Sequence, residues 1–298
     1  MSPRRKRRLK ETASAYLLLS PQLIGLLAFG ALPILIALGI SFTEWDVIGP
    51  MKFVGLTSIV KELRHPYFLK SLLNTLEYVG MNVPLSIGCA LIASLLLIDA
   101  RFKVLFRALY FMPVVTSVVA GVMVWQWLYH PDFGPLNFLI HRVLGFPGKI
   151  LWLGSTKTAM ISIVMMNTWQ TLGYGLVLFL AGLQAVPAVY YEAAIMDGAN
   201  AWQKTRAITF PLLTPTILYS VITSVIAFFQ VFGQPYLLTG GGPLRSTYTI
   251  AMHIYQKGFV DLEMGRACAV SLVLFLIIMA ITGIQFLFSR KWVFYEGG

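Results

Sequence analysis

Six long apolar stretches constrain what this chain can fold into more than any other feature of its sequence. Their approximate limits are 15–42, 71–98, 108–129, 159–183, 216–239 and 267–289. An α-helix needs roughly 20 apolar residues to cross the hydrocarbon core of a bilayer, and each stretch is at least that long. Only 12% of the 298 residues are charged, whereas a soluble domain has about 25%. We therefore predict an all-α polytopic membrane protein with six transmembrane helices.

The first stretch follows a basic tail over residues 1–14 and has to be distinguished from a secretory signal peptide. The apolar region of a signal peptide has about 7–15 residues. The stretch at 15–42 is longer, and no clear cleavage site follows it. We predict a retained helix, interrupted by Pro21 and Pro33, and an external loop up to residue 70.

The basic tail also predicts the orientation, because short cytoplasmic segments are enriched in Lys and Arg. A cytoplasmic N-terminus places the linker 184–215 and the C-terminus in the cytoplasm as well. Outside the tail, that side has seven Lys and Arg residues and the other side has ten, so the tail carries this argument nearly alone. The net charge of +11 then reflects orientation and contact with membrane lipid, and no nucleic-acid partner is expected.

The functional classes open to such a chain include an ion-coupled carrier, a membrane enzyme and a transport subunit driven by another chain. An ion-coupled carrier usually has ionisable residues inside the membrane, but Glu77 and Asp99 lie near span ends. An enzyme needs a catalytic motif, and HExxH and GxSxG are both absent from the sequence. The nearest approach to an ATP-binding P-loop, Gly148-Lys149, lacks the first glycine and the Ser or Thr. We expect no catalytic residue, metal site or cofactor in this chain, and a transport subunit driven by another chain; a non-transporting membrane scaffold is the alternative.

The linker 184–215 contains signals for two short helices. Pro187 suits a first helical position, residues 188–197 favour a helix, and Gly198 can end it in the left-handed conformation. A second helix over about 200–208 should end before Pro211. The apolar side of this pair is predicted at Tyr190, Ala194 and Ile208. These residues alone leave open whether the pair docks into another protein or lies on the membrane surface.

The same linker resembles the EAA loop of binding-protein-dependent ABC importers, through Glu192-Ala193-Ala194, Asp197-Gly198-Ala199, Ile208, Pro211 and Pro215. Further matching segments are Asn74-Thr75-Leu76, Val83-Pro84-Leu85, Phe106-Arg107, Met112-Pro113, Trp125-Gln126-Trp127, Gly173-Tyr174, residues 179–184, residues 238–243 and Trp292-Val293-Phe294-Tyr295. Together they resemble the six-helix permeases of the carbohydrate-uptake branch, of the first-permease type found in maltose and glycerol-phosphate systems.

This resemblance implies a type I ABC importer transmembrane fold over residues 71–290, in the cytoplasmic (inner) membrane of a bacterium or archaeon. It also implies a second permease subunit forming a heterodimer, two ATPase subunits that bind ATP and Mg, and an extracytoplasmic solute-binding protein. The residues expected to couple to the ATPase are Tyr191, Glu192, Ala193, Ala194, Asp197, Gly198, Ala199, Ile208 and Pro211. Thr205 and Phe210 depart from the family pattern, which often has Phe and Leu there, so an apolar anchor is missing at 205.

Polar residues within the spans predict the path of the substrate. On a helical fifth span, one face holds Ser220, Thr223, Gln230 and Gln234, and one face of the fourth span holds Asn167, Gln170, Thr171 and Tyr174. Such groups lack partners in hydrocarbon, so they should face a protein interior or a water-filled cavity; interhelical hydrogen bonding is the alternative. The predicted path consists of Trp125, Gln126, Asn167, Gln170, Tyr174, Phe229, Gln230, Phe232 and Gln234.

The resulting functional prediction is a permease subunit of an ATP-driven importer for a sugar or oligosaccharide. Sugars are neutral and rich in hydroxyls, so amides, hydroxyls and aromatic faces suit them. Another polar solute, such as glycerol phosphate, is the alternative. A cationic solute would need carboxylates along the path and a phosphorylated one would need Arg or Lys, and we find neither among the predicted path residues.

Overall fold

A computed structural model describes residues 3–98, 100–145 and 148–294. The side chains of residues 3–11, 13 and 144 lie outside the description. The basic side chains of the predicted tail, Asp99 and Tyr295 therefore lie outside the described residues.

Helices dominate the described residues. In chain order they are α1 (Pro3–Leu26), a π-helical turn (Leu27–Ala31), α2 (Leu32–Ile40), α3 (Thr57–Leu63), α4 (Pro66–Leu97), α5 (Lys103–Val115), α6 (Val118–Leu128), α7 (Pro135–Leu144), α8 (Ala159–Gln184), α9 (Ala188–Met196), α10 (Ala201–Lys204), a π-helical turn (Thr205–Thr209), α11 (Phe210–Phe229), α12 (Gly233–Thr239), α13 (Ile250–Tyr255), a π-helical turn (Gln256–Val260) and α14 (Met264–Ser289). Two short strands, β1 (Thr43–Glu44) and β2 (Lys52–Phe53), pair antiparallel, with Thr43 opposite Phe53.

Five helical stretches among the described residues are long and apolar enough to cross a membrane: Ser14–Ile40, Pro66–Leu97, Ala159–Gln184, Ala201–Phe229 and Met264–Ser289. The bent pair α5 and α6 makes a sixth when it is counted as one span. The predicted count of six spans agrees with this arrangement.

The span predicted over 108–129 consists of two helices rather than one, because α5 and α6 meet at 101°. Pro113 occupies the last turn of α5, and Thr116 and Ser117 take extended backbone conformations. The Ser117 hydroxyl then accepts a hydrogen bond from the N–H of Ala120 at 3.2 Å, which caps α6. A proline followed by a new N-cap therefore breaks this span.

The fifth span ends ten residues earlier than the predicted limit of 239, since α11 stops at Phe229. Pro235 lies near the beginning of α12, and its ring would collide with the carbonyl four residues earlier if the helix continued. That carbonyl belongs to Val231, and the hydroxyl of Thr249 donates to it at 2.9 Å. The apolar run continues past residue 229, but the helix does not.

Two compact units make up the chain, one from residues 1–64 with 254–273 and the other from 65–253 with 274–298. The predicted division at residue 71 stays a prediction.

In the second unit, α4, α8 and α11 pack together. A Cβ atom at Gly173 would collide with the backbone of Tyr110 on α5, and one at Gly182 would crowd Thr216 on α11. Glycine at these two positions lets the helices approach α8 closely. The buried residues of the core are Ala90, Phe179, Leu183 and Leu213, with a second cluster of Leu97, Leu176 and Leu180.

In the first unit, a cluster of charged residues surrounds the beginning of α14. Arg266 forms ion pairs with the buried carboxylate of Glu62 and with Glu263. Lys257 is buried and pairs with Asp261 at 2.9 Å and with Glu263 at 2.8 Å. Burial disfavours the charge on Lys257, but its hydrogen bonds to the two carboxylates outweigh burial and raise its pKa. Burial likewise disfavours the Asp261 carboxylate, but hydrogen bonds led by the one from Lys257 outweigh it and lower the pKa of Asp261.

Candidate functional site

The loop that follows α8 forms a helix that ends at glycine, as predicted. Pro187 lies directly before α9, and Gly198 adopts a positive φ of 76° after it. The N–H of Ala199 donates to the carbonyl of Ala194 at 2.9 Å, and the N–H of Gly198 donates to that of Ile195 at 3.0 Å. These two bonds form a Schellman motif, which supplies hydrogen-bond donors to carbonyls that have no partner within the helix.

The second helix of this loop does not end before Pro211, so that prediction is wrong. Helical structure continues from Ala201 through a π-helical turn into α11. The π-helical turn ends immediately before α11, whose second residue is Pro211. A wider turn accommodates a proline whose ring and missing N–H would otherwise interrupt the helix. The predicted short helix is therefore continuous with the helix of the fifth span.

A capping box begins this continuous helix and was missed from the sequence. The Asn200 side chain accepts from the N–H of Gln203 at 2.9 Å, and the Gln203 side chain accepts from the N–H of Asn200 at 2.8 Å. The spacing N-x-x-Q was the available signal. Two reciprocal bonds thus fix where the chain turns from α9 into α10.

One hydrogen bond connects α9 to the beginning of the fifth span. The Tyr191 and Thr209 hydroxyl groups lie 2.9 Å apart. Thr209 is buried, and sequence reasoning did not identify it. No local pattern reveals this pair, because the contact depends on how the two helices fold against each other.

Large apolar side chains on this loop are exposed. Met196 has 88% of its surface exposed and Trp202 has 68%, and Val189 and Ile195 are exposed as well. Exposed apolar groups in such number indicate a surface for another protein or a membrane. Of the predicted apolar side, Tyr190 is exposed, whereas Ala194 and Ile208 are half-buried. Glu192, Ala193 and Asp197 are exposed, and Ala199 and Pro211 are half-buried.

Within the spans, a buried polar cluster joins α4 to α8. Asn82 donates to the side-chain oxygen of Asn167 at 2.7 Å and accepts from the hydroxyl of Thr168 at 3.0 Å. Ser86 donates to Asn82 at 3.2 Å. Asn167, which was predicted on the substrate path, is therefore engaged in an interhelical contact. The alternative of interhelical hydrogen bonding holds for this residue.

Next to this cluster lies a cavity of about 290 Å³ between α4, α8 and α11. Six hydroxyl-bearing side chains contribute to its wall, and no side chain that is ionised at neutral pH does. The lining residues are Ser86, Ile87, Ala90, Thr171, Tyr174, Gly175, Ser220, Thr223, Ser224, Ala227 and Phe228. The predicted polar residues Thr171, Tyr174, Ser220 and Thr223 are thus brought together, and Ser86 and Ser224 were missed.

The glutamines of the predicted path separate into two environments. Gln234 donates to Gln170 at 3.1 Å, and Gln170 faces the carbonyl of Thr116 at the break between α5 and α6. Gln126 donates to the carbonyl of Leu237 in α12 at 3.0 Å. Gln230 instead donates to the carbonyl of Ile226, four residues earlier in the last turn of α11.

The predicted shared face of Ser220, Thr223, Gln230 and Gln234 is therefore wrong, because α11 ends at Phe229. Gln234 lies on α12 and Gln230 lies at the break between α11 and α12.

The aromatic residues of the predicted path lie around these contacts. Trp125 packs edge-on against Trp169, with ring centroids 5.8 Å apart. Phe232 stacks on Tyr236 at 4.9 Å. Phe229 is 1% exposed, so it is part of the packed interior rather than of the cavity wall.

Fold and site together define a polytopic helical membrane protein with a hydroxyl-lined cavity among its spans and an exposed helix–turn–helix loop after one of them. The chain belongs to the family of binding-protein-dependent transport system inner membrane components, whose model matches residues 54–293. It is thus an inner-membrane permease of the ABC importer class.

Relatives of nearly equal length support this assignment. The chain is 34% identical to the probable ABC transporter permease protein YesP of Bacillus subtilis, over 96% of this chain and 94% of the relative. It is also 34% identical to the sn-glycerol-3-phosphate transport system permease protein UgpA of Agrobacterium fabrum, over 94% of this chain and 96% of that relative.

A solved structure has the same fold. A chain of a bacterial alginate ABC transporter, crystallised in complex with an alginate pentasaccharide-bound periplasmic protein, superimposes with a TM-score of 0.83. The match covers 96% of both chains at 21% identity. The predicted importer fold is confirmed by this similarity.

Proposed function

We propose that this chain is one permease subunit of an importer for a sugar or another neutral, polyhydroxylated solute. The observation that carries the proposal is the cavity of about 290 Å³, whose wall has six hydroxyls and no side chain ionised at neutral pH. Hydroxyls of Ser, Thr and Tyr both donate and accept hydrogen bonds, which matches the hydroxyls of a sugar. Phe228 adds an aromatic surface to the wall.

A phosphorylated solute is the second candidate, because relatives named UgpA are glycerol-3-phosphate permeases. The cavity has no Lys or Arg to neutralise a phosphate. An anion moved into such a site would lose its hydration without a charge partner. The chemistry of the wall therefore favours the neutral solute.

The loop after α8 is proposed to dock onto an ATPase. Its exposed apolar residues Val189, Met196 and Trp202 suit burial in a protein groove. The residues assigned to coupling remain Tyr191, Glu192, Ala193, Ala194, Asp197, Gly198, Ala199, Ile208 and Pro211. We place this loop and both termini in the cytoplasm, where the ATPase would supply bound ATP and Mg.

In the proposed complex this chain pairs with a second permease, two ATPase subunits and an extracytoplasmic solute-binding protein. ATP binding closes the ATPase pair, and α9 moves with it as a lever. The two permeases then rock from an inward-open to an outward-open state and receive the solute from the binding protein. Such coupling requires that the loop makes different contacts in the two states.

The test uses the chain reconstituted with its partners in vesicles. Neutral sugars, delivered by the binding protein, are expected to stimulate ATP hydrolysis and uptake, whereas glycerol phosphate is not. Stimulation by glycerol phosphate alone would select the second candidate. Absence of stimulation by any solute, with the complex assembled, would favour a non-transporting scaffold.

The cavity is tested by removing two of its hydroxyls in the double variant Ser220→Ala/Thr223→Val. Losing two neutral hydrogen bonds is expected to raise the half-saturating solute concentration about tenfold. Ser94→Ala is the matched control, because the Ser94 hydroxyl bonds the Leu91 carbonyl of its own helix at 2.7 Å and lies outside the cavity wall. Equal effects of the two substitutions would contradict this placement of the solute.

A further inference from the structure

Arg107 lies one turn into α5, and no carboxylate among the described residues pairs with its charge. Its Nε and Nη2 atoms are buried, and neither has a hydrogen-bond partner among the described residues. A guanidinium stays protonated in proteins, so it cannot escape the cost by losing its charge. An ionised group that is desolvated and unpaired is strongly destabilising. We therefore expect an anion from outside this chain to pair with the Arg107 guanidinium.

The sequence around Arg107 contains more cations than carboxylates. Residues 99–115 contain Arg101, Lys103 and Arg107 and a single carboxylate, Asp99, which lies outside the described residues. Lys103 is exposed and lies four residues before Arg107, so the two residues share one side of α5. Arg101 is also exposed. Three positive charges at the beginning of one span attract an anionic group.

The position of Arg107 along α5 is close to the membrane boundary. Lys103 is the first residue of α5, and four residues of helix correspond to a rise of about 6 Å. An arginine side chain is long enough to extend over that distance toward the boundary. We place the lipid phosphates at this depth, because the predicted apolar stretch begins at residue 108.

Apolar residues flank Arg107 on the same helix and are exposed. Val104, Leu105 and Phe106 have 76%, 59% and 40% of their surface exposed. In a membrane, such side chains at the edge of the hydrocarbon region contact acyl chains. A phospholipid therefore suits both the basic residues and the exposed apolar residues at the beginning of α5, because it has a phosphate and acyl chains together.

We propose that Arg107, with Arg101 and Lys103, binds the phosphate of an anionic phospholipid where α5 begins. Nε and Nη2 are buried without a partner in the described part of the chain, and Nη1 is not among the buried unpaired atoms, so we assign the phosphate to Nη1. Because the charge is delocalised over the guanidinium, an anion at Nη1 compensates the whole group. Arg101 and Lys103 favour an anionic headgroup over a zwitterionic one. The site is separate from the solute cavity and from the loop after α8.

The experiment measures lipid retention by the full chain, purified in a neutral detergent, by native mass spectrometry. Phosphatidylglycerol and phosphatidylcholine of the same acyl chains are titrated separately. The wild type is expected to retain phosphatidylglycerol preferentially, and Arg107→Gln to bind it about tenfold more weakly, since a charge-assisted hydrogen bond is lost. Arg290→Gln is the matched control, because Arg290 is an exposed arginine just after α14, and it is expected to behave as the wild type.

Arg107→Lys keeps the positive charge and is expected to bind phosphatidylglycerol with intermediate affinity. This variant keeps the proposal testable if Arg107→Gln fails to fold. Circular dichroism and gel filtration check that each variant is folded. Retention of phosphatidylglycerol by Arg107→Gln at the wild-type level would overturn the proposal, and so would equal retention of phosphatidylcholine by the wild type. If the chain assembled with its partners shows no retention that depends on Arg107, a partner's carboxylate occupies the site and the proposal fails.

Discussion

The hydroxyls of Tyr191 and Thr209 lie 2.9 Å apart, and they connect α9 to the beginning of the fifth span. Thr209 is buried, so its position is set by the helix packing around it. We therefore expect a displacement of α9 to reach the span that contributes Ser220 and Thr223 to the cavity wall.

Tyr191→Phe removes this hydrogen bond with little change of shape, at a cost of about 1 kcal/mol. We expect the ATPase to remain bound, while solute uptake per ATP hydrolysed decreases. Thr209→Val removes the other partner, so the effects of the two substitutions should not add in the double variant. Additive effects, measured in reconstituted vesicles, would show that the contact does not transmit movement.

Gly198→Val tests the turn between α9 and α10. The φ of 76° at this position is unfavourable for a β-branched residue, and the strain is about 1–3 kcal/mol. No other atom lies within 4 Å of an added Cβ, so only the backbone conformation is tested. We expect uptake to be lost while the protein still inserts into the membrane. Gly198→Asn should retain uptake, because Asn tolerates the left-handed region; normal uptake by the valine variant would refute the lever.

Gln234→Ala removes the bond to Gln170 that links α12 to α8. We expect weaker uptake with ATPase docking intact. Gln230→Ala should have a smaller effect, because the Gln230 side chain bonds only the nearby Ile226 carbonyl at the end of α11 and links no second helix. Co-purification with the ATPase distinguishes a role of Gln234 in solute uptake from a role in ATPase docking. Loss of co-purification in Gln234→Ala would contradict its assignment to the substrate path.

Asn82→Leu tests the buried polar cluster between α4 and α8. The substitution leaves Asn167 and Thr168 each without one partner, which destabilises by about 1–3 kcal/mol for each buried group. We expect a lower unfolding temperature in detergent. The double variant Asn82→Leu/Asn167→Leu should recover part of the loss, because it removes an unpaired amide; failure to recover any would argue against this hydrogen bond.

The ion pair of Lys257 and Asp261 predicts a pH dependence of stability. The pKa of Asp261 lies below its ordinary value of 3.8, chiefly because its hydrogen bond from Lys257 outweighs burial. Its contribution is therefore complete above pH 3.8 and is lost as the pH falls through the lower, folded-state pKa. Lys257→Met should flatten the decrease of the unfolding temperature in that acidic range. An unchanged slope would show that the pair does not contribute.

Local features of the chain determined much of this fold. The number of spans follows from hydropathy, because each span has to match the thickness of the bilayer. The end of α9 at Gly198 follows from the freedom of glycine to adopt positive φ. Both properties depend on residues that are near one another in sequence, so they can be inferred without knowing the packing.

Only the tertiary structure decided which polar side chains form hydrogen bonds with one another. Asn167 was predicted on the substrate path, yet it bonds Asn82, 85 positions earlier, and Gln170 bonds Gln234, 64 positions later. The fifth span ends at Phe229, and Pro235 prevents an unbroken helix beyond it, while the Thr249 hydroxyl donates to the Val231 carbonyl at the break. A polar side chain within a span has to find a partner. Which partner it finds depends on how the helices pack, and this cannot be read from the spacing along one helix.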